Sequence, residues 1–130
     1  MRPGLHALII EDEIIAGVGM QLVLSDLGFD SFAFAGTAHQ ALEQALIRTP
    51  DLVTVDVRLL DGDGVEAVRE ICRVIGPAPI VYVTGDPRAL AGRADAVVVE
   101  KPYGPADMAR AYKRAREMNA KEANANEMSA

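Results

Sequence analysis

Tryptophan is absent, phenylalanine and tyrosine number three each, and there is one cysteine. With aromatics at 5% and half of the residues apolar, the core must be built from aliphatic side chains. The lone Cys72 excludes an intramolecular disulfide, and its place in an apolar helical pattern marks an inert buried thiol of a reducing compartment. A chain of 130 residues fits one ordinary domain and needs neither disulfide nor structural metal to hold it. Positive charge is also short, 13 basic against 19 acidic residues, and the net charge of -6 argues against a backbone-driven nucleic-acid binder. Residues 113–130 carry four basic and three acidic side chains, so the rest holds the whole acidic excess. No apolar run approaches transmembrane length, and acid appears at Glu11 before any signal-like hydrophobic region. A soluble cytoplasmic protein without membrane insertion is the expectation.

Short apolar runs alternate with longer helical patterns, which predicts an α/β fold whose parallel sheet is covered on both faces. Leu5 to Ile10 reads as the first strand, FDSFAFAG as a weaker second strand suited to a sheet edge, DLVTVD as the third, PIVYVT as the fourth and AVVVEK as the fifth. The first helix is expected over Ile14 to Leu27, with Ile14, Val18, Leu22 and Ser25 inward, Ile15, Leu24 and Leu27 widening the stripe, and Gly28 as its stop. Thr37 caps a second helix with Ala38, Ala41, Leu42, Ala45 and Leu46 inward. Val65, Val68, Ile71, Cys72 and Ile75 trace the third. Between the fourth and fifth strands GDPRALAGRAD leaves room for barely one helical turn. Gly104 and Pro105 open the last helix, with Met108, Ala109 and Tyr112 inward, and residues 119–130 read as a frayed or disordered tail for want of an apolar face.

Chemistry gathers at the strand ends. Glu11, Asp12 and Glu13 follow the first strand, Asp56 ends the third, Thr84 the fourth and Lys101 the fifth. In a parallel sheet these ends share one edge, where ligand crevices form. Three converging carboxylates repel one another, and a hard divalent cation such as Mg2+ is the simplest neutraliser. Glu13 suits the first helical turn better than a metal, Asp61 and Asp63 suit the loop and cap of the third helix, and His6 and His39 have no evident chemical role.

This arrangement resembles the receiver domain of two-component response regulators, and among them the single-domain regulators of alphaproteobacteria, over residues 5 to about 117. The resemblance implies a flavodoxin-like (βα)5 fold with strand order 2-1-3-4-5 and a shortened fourth helix, a receiver domain over residues 1–118, and the tail beyond it. It implies that Asp56 takes a phosphoryl group from a phosphohistidine on a histidine kinase or histidine phosphotransfer protein. Thr84 and Lys101 then hold the phosphoryl oxygens, and Glu11, Asp12, Asp56 and the backbone carbonyl of Arg58 hold Mg2+. Such a protein is a self-phosphorylating and autodephosphorylating switch, not a conventional enzyme. Its output passes to an unidentified downstream protein, with no direct contact to nucleic acid, from a monomer or weak dimer.

The chain departs from that pattern in places. Leu60 stands where proline is common, and Val98 where a switching Tyr or Phe is common, three before the lysine. Tyr103 is the candidate for a surface contact beside the site. The expected signal route therefore runs through Thr84, the loop after Gly85 and the short crossover toward the last helix. Arg58 and Asp86 border the phosphorylation position and are candidates to modulate hydrolysis. The alternatives are a phosphorylation-independent adaptor or a phosphate sink in a phosphorelay. A haloacid-dehalogenase-like phosphatase is opposed by Arg58, where a second aspartate would be needed, and nucleotide binding by the lack of a glycine-rich loop after the first strand.

Overall fold

The computed structural model describes residues 4–59, 62–86, 88–90, 93 and 95–129. Its strands are β1 (Leu5–Ile10), β2 (Phe29–Ala35), β3 (Leu52–Asp56), β4 (Arg58–Leu59), β5 (Gly62–Asp63), β6 (Ile80–Thr84) and β7 (Val98–Glu100). The helices are α1 (Ile14–Asp26), α2 (Ala38–Ile47), α3 (Gly64–Ile75) and α4 (Pro105–Ser129). Five strands form a parallel sheet in the order β2-β1-β3-β6-β7, the order that the resemblance implies, with β6 and β7 as its fourth and fifth strands. The weak second strand lies at an edge, as its composition suggested. Leu60, Asp61 and the Asp63 side chain lie outside the described residues, as do Pro87, Ala91, Gly92 and Ala94 of the crossover.

Alternating strand residues feed two aliphatic cores. Ala7, Ile9, Leu52, Val81, Val83 and Val99 point to the layer of α1 and α4. Leu8, Ile10, Val53 and Val55 point to α2 and α3. No helix among the described residues is long and apolar enough to cross a membrane.

Local chemistry sets the helix ends. The Thr37 hydroxyl accepts from the Gln40 amide at 3.1 Å and starts α2. Gly28 takes φ +103 just past the end of α1, a left-handed conformation that favours glycine. The Asp107 carboxylate accepts from the Gly104 amide at 2.8 Å at the head of α4.

Three expectations are corrected. On α1 the buried residues are Gly17, Met20 and Leu24, while Ile14 is 84%, Ile15 87%, Val18 46% and Leu22 64% exposed. No charged residue stands between Ile14 and Ser25, so the pattern offers no polar face to point outward and its apolar stripe does not fix the helix rotation. Smaller shifts of the same kind leave Leu46 exposed on α2 and replace Ala109 by Ala111 and Ala115 on the inner face of α4. In the crossover between β6 and β7 the described residues make single turns, in keeping with a connection that short: Ala89 N–H donates to Asp86 O at 3.0 Å, Arg93 to Leu90 at 3.1 Å and Ala96 to Arg93 at 3.2 Å. Finally, α4 stays helical through Ser129, because extending a packed helix with Ala, Lys and Glu avoids the nucleation cost that an isolated segment bears.

Opposite the strand ends that carry the carboxylates, His6 is 4% exposed. Its Nδ1 is 2.8 Å from Ser31 Oγ, which also accepts from Arg48, and its amide donates to Asp51. Burial, and then the Arg48 charge, hold the imidazole pKa below 6.5, with Asp51 and Ser31 acting in the other direction. The unfolded chain therefore protonates first as pH falls below 6.5, and folding stability drops with it. Urea midpoints at about pH 7.5 and about pH 5.5 should fall more steeply for the wild type than for H6Q. Equal slopes would remove His6 as a source of the acid sensitivity.

Candidate functional site

The register of the sheet brings distant residues to one edge. Ile10 pairs with Val55, Asp56 with Val83, and Thr84 with Glu100, so Glu11, Asp56, Thr84 and Lys101 stand at their strand ends within two residues of one another in register. Glu11 N–H donates to Ala35 O at 2.8 Å, and Lys101 N–H to Thr84 O at 2.8 Å, extending the ladder to both residues.

One carboxylate oxygen from each of Glu11, Asp12 and Asp56 lies within 4.8 Å of the others, all three residues being half-buried. The Lys101 Nζ is 3.7 Å from both Glu11 Oε1 and Asp56 Oδ2. Burial raises the Glu11 pKa to about 7, and Asp12 and Asp56 push the same way against a hydrogen bond from the Glu13 amide. The excess negative charge of this cluster is thus held only partly by one ammonium. A small, hard cation with a preference for carboxylate oxygen fits the donor set. Glu13 stands at the N-cap position of α1 without a side-chain cap and lies outside the cluster.

Asp56 is held from two sides. Its Oδ1 accepts from the Arg58 amide at 2.9 Å, the first contact of the β4–β5 hairpin, in which Arg58 faces Asp63. Behind it, the backbone packs against Gly64, the first residue of α3. A Cβ there would fall on the carbonyl oxygen of Asp56, with Val55 Cγ2 at 3.0 Å and the Val57 Cα at 3.1 Å. The DGDG motif therefore includes a glycine demanded by close approach, and two of the three neighbours are main chain that cannot rotate away. G64A is expected to lose about 1–3 kcal/mol, the usual cost of overpacking, and to displace Asp56. A wild-type urea midpoint for G64A would show that β3 and α3 part without cost.

Thr84 is 2% exposed, and both hydrogen bonds of its hydroxyl are with its own loop: it accepts from Asp86 N–H at 3.0 Å and donates to Asp86 O at 3.2 Å. Arg58 and Asp86, separate in sequence, meet at 3.5 Å. Asp86 is shared with Arg88, whose amide donates to it at 3.0 Å and whose Nε lies 3.3 Å away. The Arg88 hydrogen bonds first, and Arg58 after them, lower the Asp86 pKa. Sequence reasoning missed Arg88, though an arginine two residues after a loop aspartate is a local signal for such a pair.

Tyr103 is also placed differently from expectation. It is half-buried, with its hydroxyl donating to Met20 Sδ at 3.7 Å instead of facing the surface. Tyr103 and Met20 share with Glu11, Asp56 and Lys101 a cleft of about 410 Å³ beside α1. Burial, and then the Glu11 charge, push the phenol pKa up, keeping it a neutral donor. Cys72, by contrast, is remote from this edge and half-buried, and burial raises its thiol pKa, as an inert thiol requires.

Known proteins share this fold. The response regulator receiver domain family matches residues 7–113. The transcriptional regulatory protein LytR of Staphylococcus aureus (strain N315) is 29% identical over 135 residues, covering 97% of this chain. The chain spans only 55% of the length of LytR. The response regulator PhyR from Brucella abortus has a TM-score of 0.76 at 28% identity, over 95% of this chain and 51% of that one. A CheY-like receiver domain from Methylobacillus flagellatus has a TM-score of 0.76 at 25% identity, over 87% of this chain and 99% of that one. With the matched span running from β1 into α4 and enclosing every strand-end residue of the site, the chain belongs to the response regulator receiver domain family of two-component signalling.

Proposed function

We propose that the domain accepts a phosphoryl group on Asp56 from a phosphohistidine of a histidine kinase or phosphotransfer protein and signals through protein contacts. The observation that carries this reading is the convergence of Asp56 with Glu11, Asp12 and Lys101 on one sheet edge. An Asp56 oxygen attacks phosphorus, the P–N bond to the donor imidazole breaks, and an acyl phosphate forms. Lys101 balances charge on the transferred oxygens, and the Thr84 hydroxyl reaches them once it leaves Asp86. Glu11, Asp12, Asp56 and the Arg58 carbonyl would hold Mg2+, which when bound neutralises the carboxylates and phosphoryl oxygens. Arg58 and Asp86, joined across the mouth, restrict the water that hydrolyses the product.

The donor has a surface to meet. Ile14, Ile15, Val18 and Leu22 form an exposed aliphatic face that begins beside the acidic residues and is flanked by Phe34, itself 46% exposed. We assign this face to the protein bearing the phosphohistidine, because Ile14, Val18 and Phe34 line one groove with Glu11 and Asp12, and because a face without charge favours an apolar helical partner.

The test is phosphotransfer from candidate histidine kinases with Mg2+ and with chelator, followed by mapping of the mass gain. The expected result is one Mg2+-dependent phosphoryl group on Asp56; label elsewhere, or none from any donor, would overturn the reading. D12A should bind Mg2+ at least about tenfold more weakly, since even losing a group that merely orients a ligand costs about 10–100-fold in affinity. Equal affinity by titration calorimetry would remove Asp12 from the metal ligands. A second reading, an adaptor that needs no phosphorylation, is favoured by the closure of the Thr84 hydroxyl on Asp86. It predicts partner binding unchanged by phosphorylation.

A further inference from the structure

We propose that Tyr103 is a positioning residue that ties the state of the acidic edge to the pose of α1, and so to the exposed Ile15–Val18–Leu22 face. The inference rests on the reading of Asp56 as phosphoacceptor, and it adds a route by which that state reaches a partner.

Three observations support the link. Tyr103 follows Lys101 by two residues, with Pro102 between them, and proline fixes φ, so that a displacement of Lys101 passes along a stiff connection. The Tyr103 hydroxyl ends on Met20 Sδ, and Met20 is 4% exposed on the inner face of α1. Two residues further on, about 200° around the helix at 3.6 residues per turn, Leu22 faces outward. A helix moves as a body, so a change at Met20 is also a change at Leu22 and Val18.

The site has slack to be taken up. Lys101 stands 3.7 Å from both Glu11 and Asp56, beyond the roughly 2.7–3.2 Å of a direct hydrogen bond, and phosphoryl oxygens on Asp56 give the ammonium closer partners. The cleft shared by Lys101, Tyr103 and Met20 leaves room for the ring to follow, which a close-packed interior would not. The other paths from the edge are less well equipped. Val98 on β7 is a small aliphatic residue, 38% exposed, and the Thr84 hydroxyl is closed on its own loop. Linkage makes the coupling reciprocal: a protein seated on the α1 face shifts the equilibrium at Lys101 as much as phosphorylation shifts its affinity.

The experiment uses the full chain, labelled for amide and methionine-methyl spectra, with Mg2+ and beryllofluoride as the phosphoryl probe. In the wild type, shifts are expected at residues 56–58 and also at the Met20 methyl and the amides of residues 18–24. Y103F keeps the ring and removes the hydroxyl; M20L keeps the bulk and removes the sulfur. In both variants the shifts at residues 56–58 should persist while those of α1 are lost. Full α1 shifts in Y103F and M20L would overturn the proposal, as would a wild type in which residues 56–58 respond and α1 does not. A wild type in which neither region responds would overturn the phosphoacceptor reading itself, and the coupling with it.

Discussion

D56N is expected to fold as the wild type does and to take up no phosphoryl group from any donor. Asparagine has nearly the same shape, and its amide oxygen can replace Oδ1 as acceptor of the Arg58 amide, so the hairpin after β3 keeps its anchor. The amide lacks the carboxylate oxygen that attacks phosphorus, and Glu11 and Asp12, which leave β1 one strand away, are the groups assigned to the cation. Removing one of three mutually repelling carboxylates should leave stability equal or higher, within about 1 kcal/mol. Phosphotransfer and urea unfolding on the same samples separate the two effects. Undiminished labelling of D56N would end the assignment, and a collapsed unfolding midpoint would mean that the amide cannot hold the hairpin.

K101A should retain the fold and lose about two to three orders of magnitude in the rate of phosphoryl transfer, the usual cost of removing one electrostatic stabiliser of a transition state. The side chain is 37% exposed and makes two ion pairs of 3.7 Å, so little folding energy rests on it. Its removal leaves Glu11, Asp12 and Asp56 without a protein cation, and the Mg2+ requirement should become steeper. The check is the Mg2+ dependence of transfer rates in K101A against the wild type, with circular dichroism as the folding control. Wild-type rates in K101A would show that the ammonium does not reach the transferred oxygens.

Much of this architecture is legible in the sequence because the strands announce themselves: five short apolar runs, four of them with polar residues at or just beyond their ends, predict a parallel sheet and gather Glu11, Asp12, Asp56 and Lys101 on one edge, while the strand order rests on the resemblance to receiver domains. The rotation of α1 is not legible, since a helix without charge from Ile14 to Ser25 has no polar face to mark the outside. Two-residue strands such as Arg58–Leu59 are too short to carry a period. The need for glycine at position 64 depends on the approach of the Asp56 carbonyl, a contact between main chains that no side-chain pattern encodes. The inward turn of Tyr103 depends likewise on Met20, a partner 83 positions away.

The uncovered aliphatic face of α1 also bears on how the protein behaves in concentrated solution. Four large side chains open to water would draw copies together, and what opposes this is mutual repulsion between molecules that each carry a net charge of -6. That protection is a matter of pH. Toward the isoelectric point of about 4.8 the repulsion vanishes while the greasy stripe remains, so mild acid should cost this protein its colloidal stability as well as some of its folding stability.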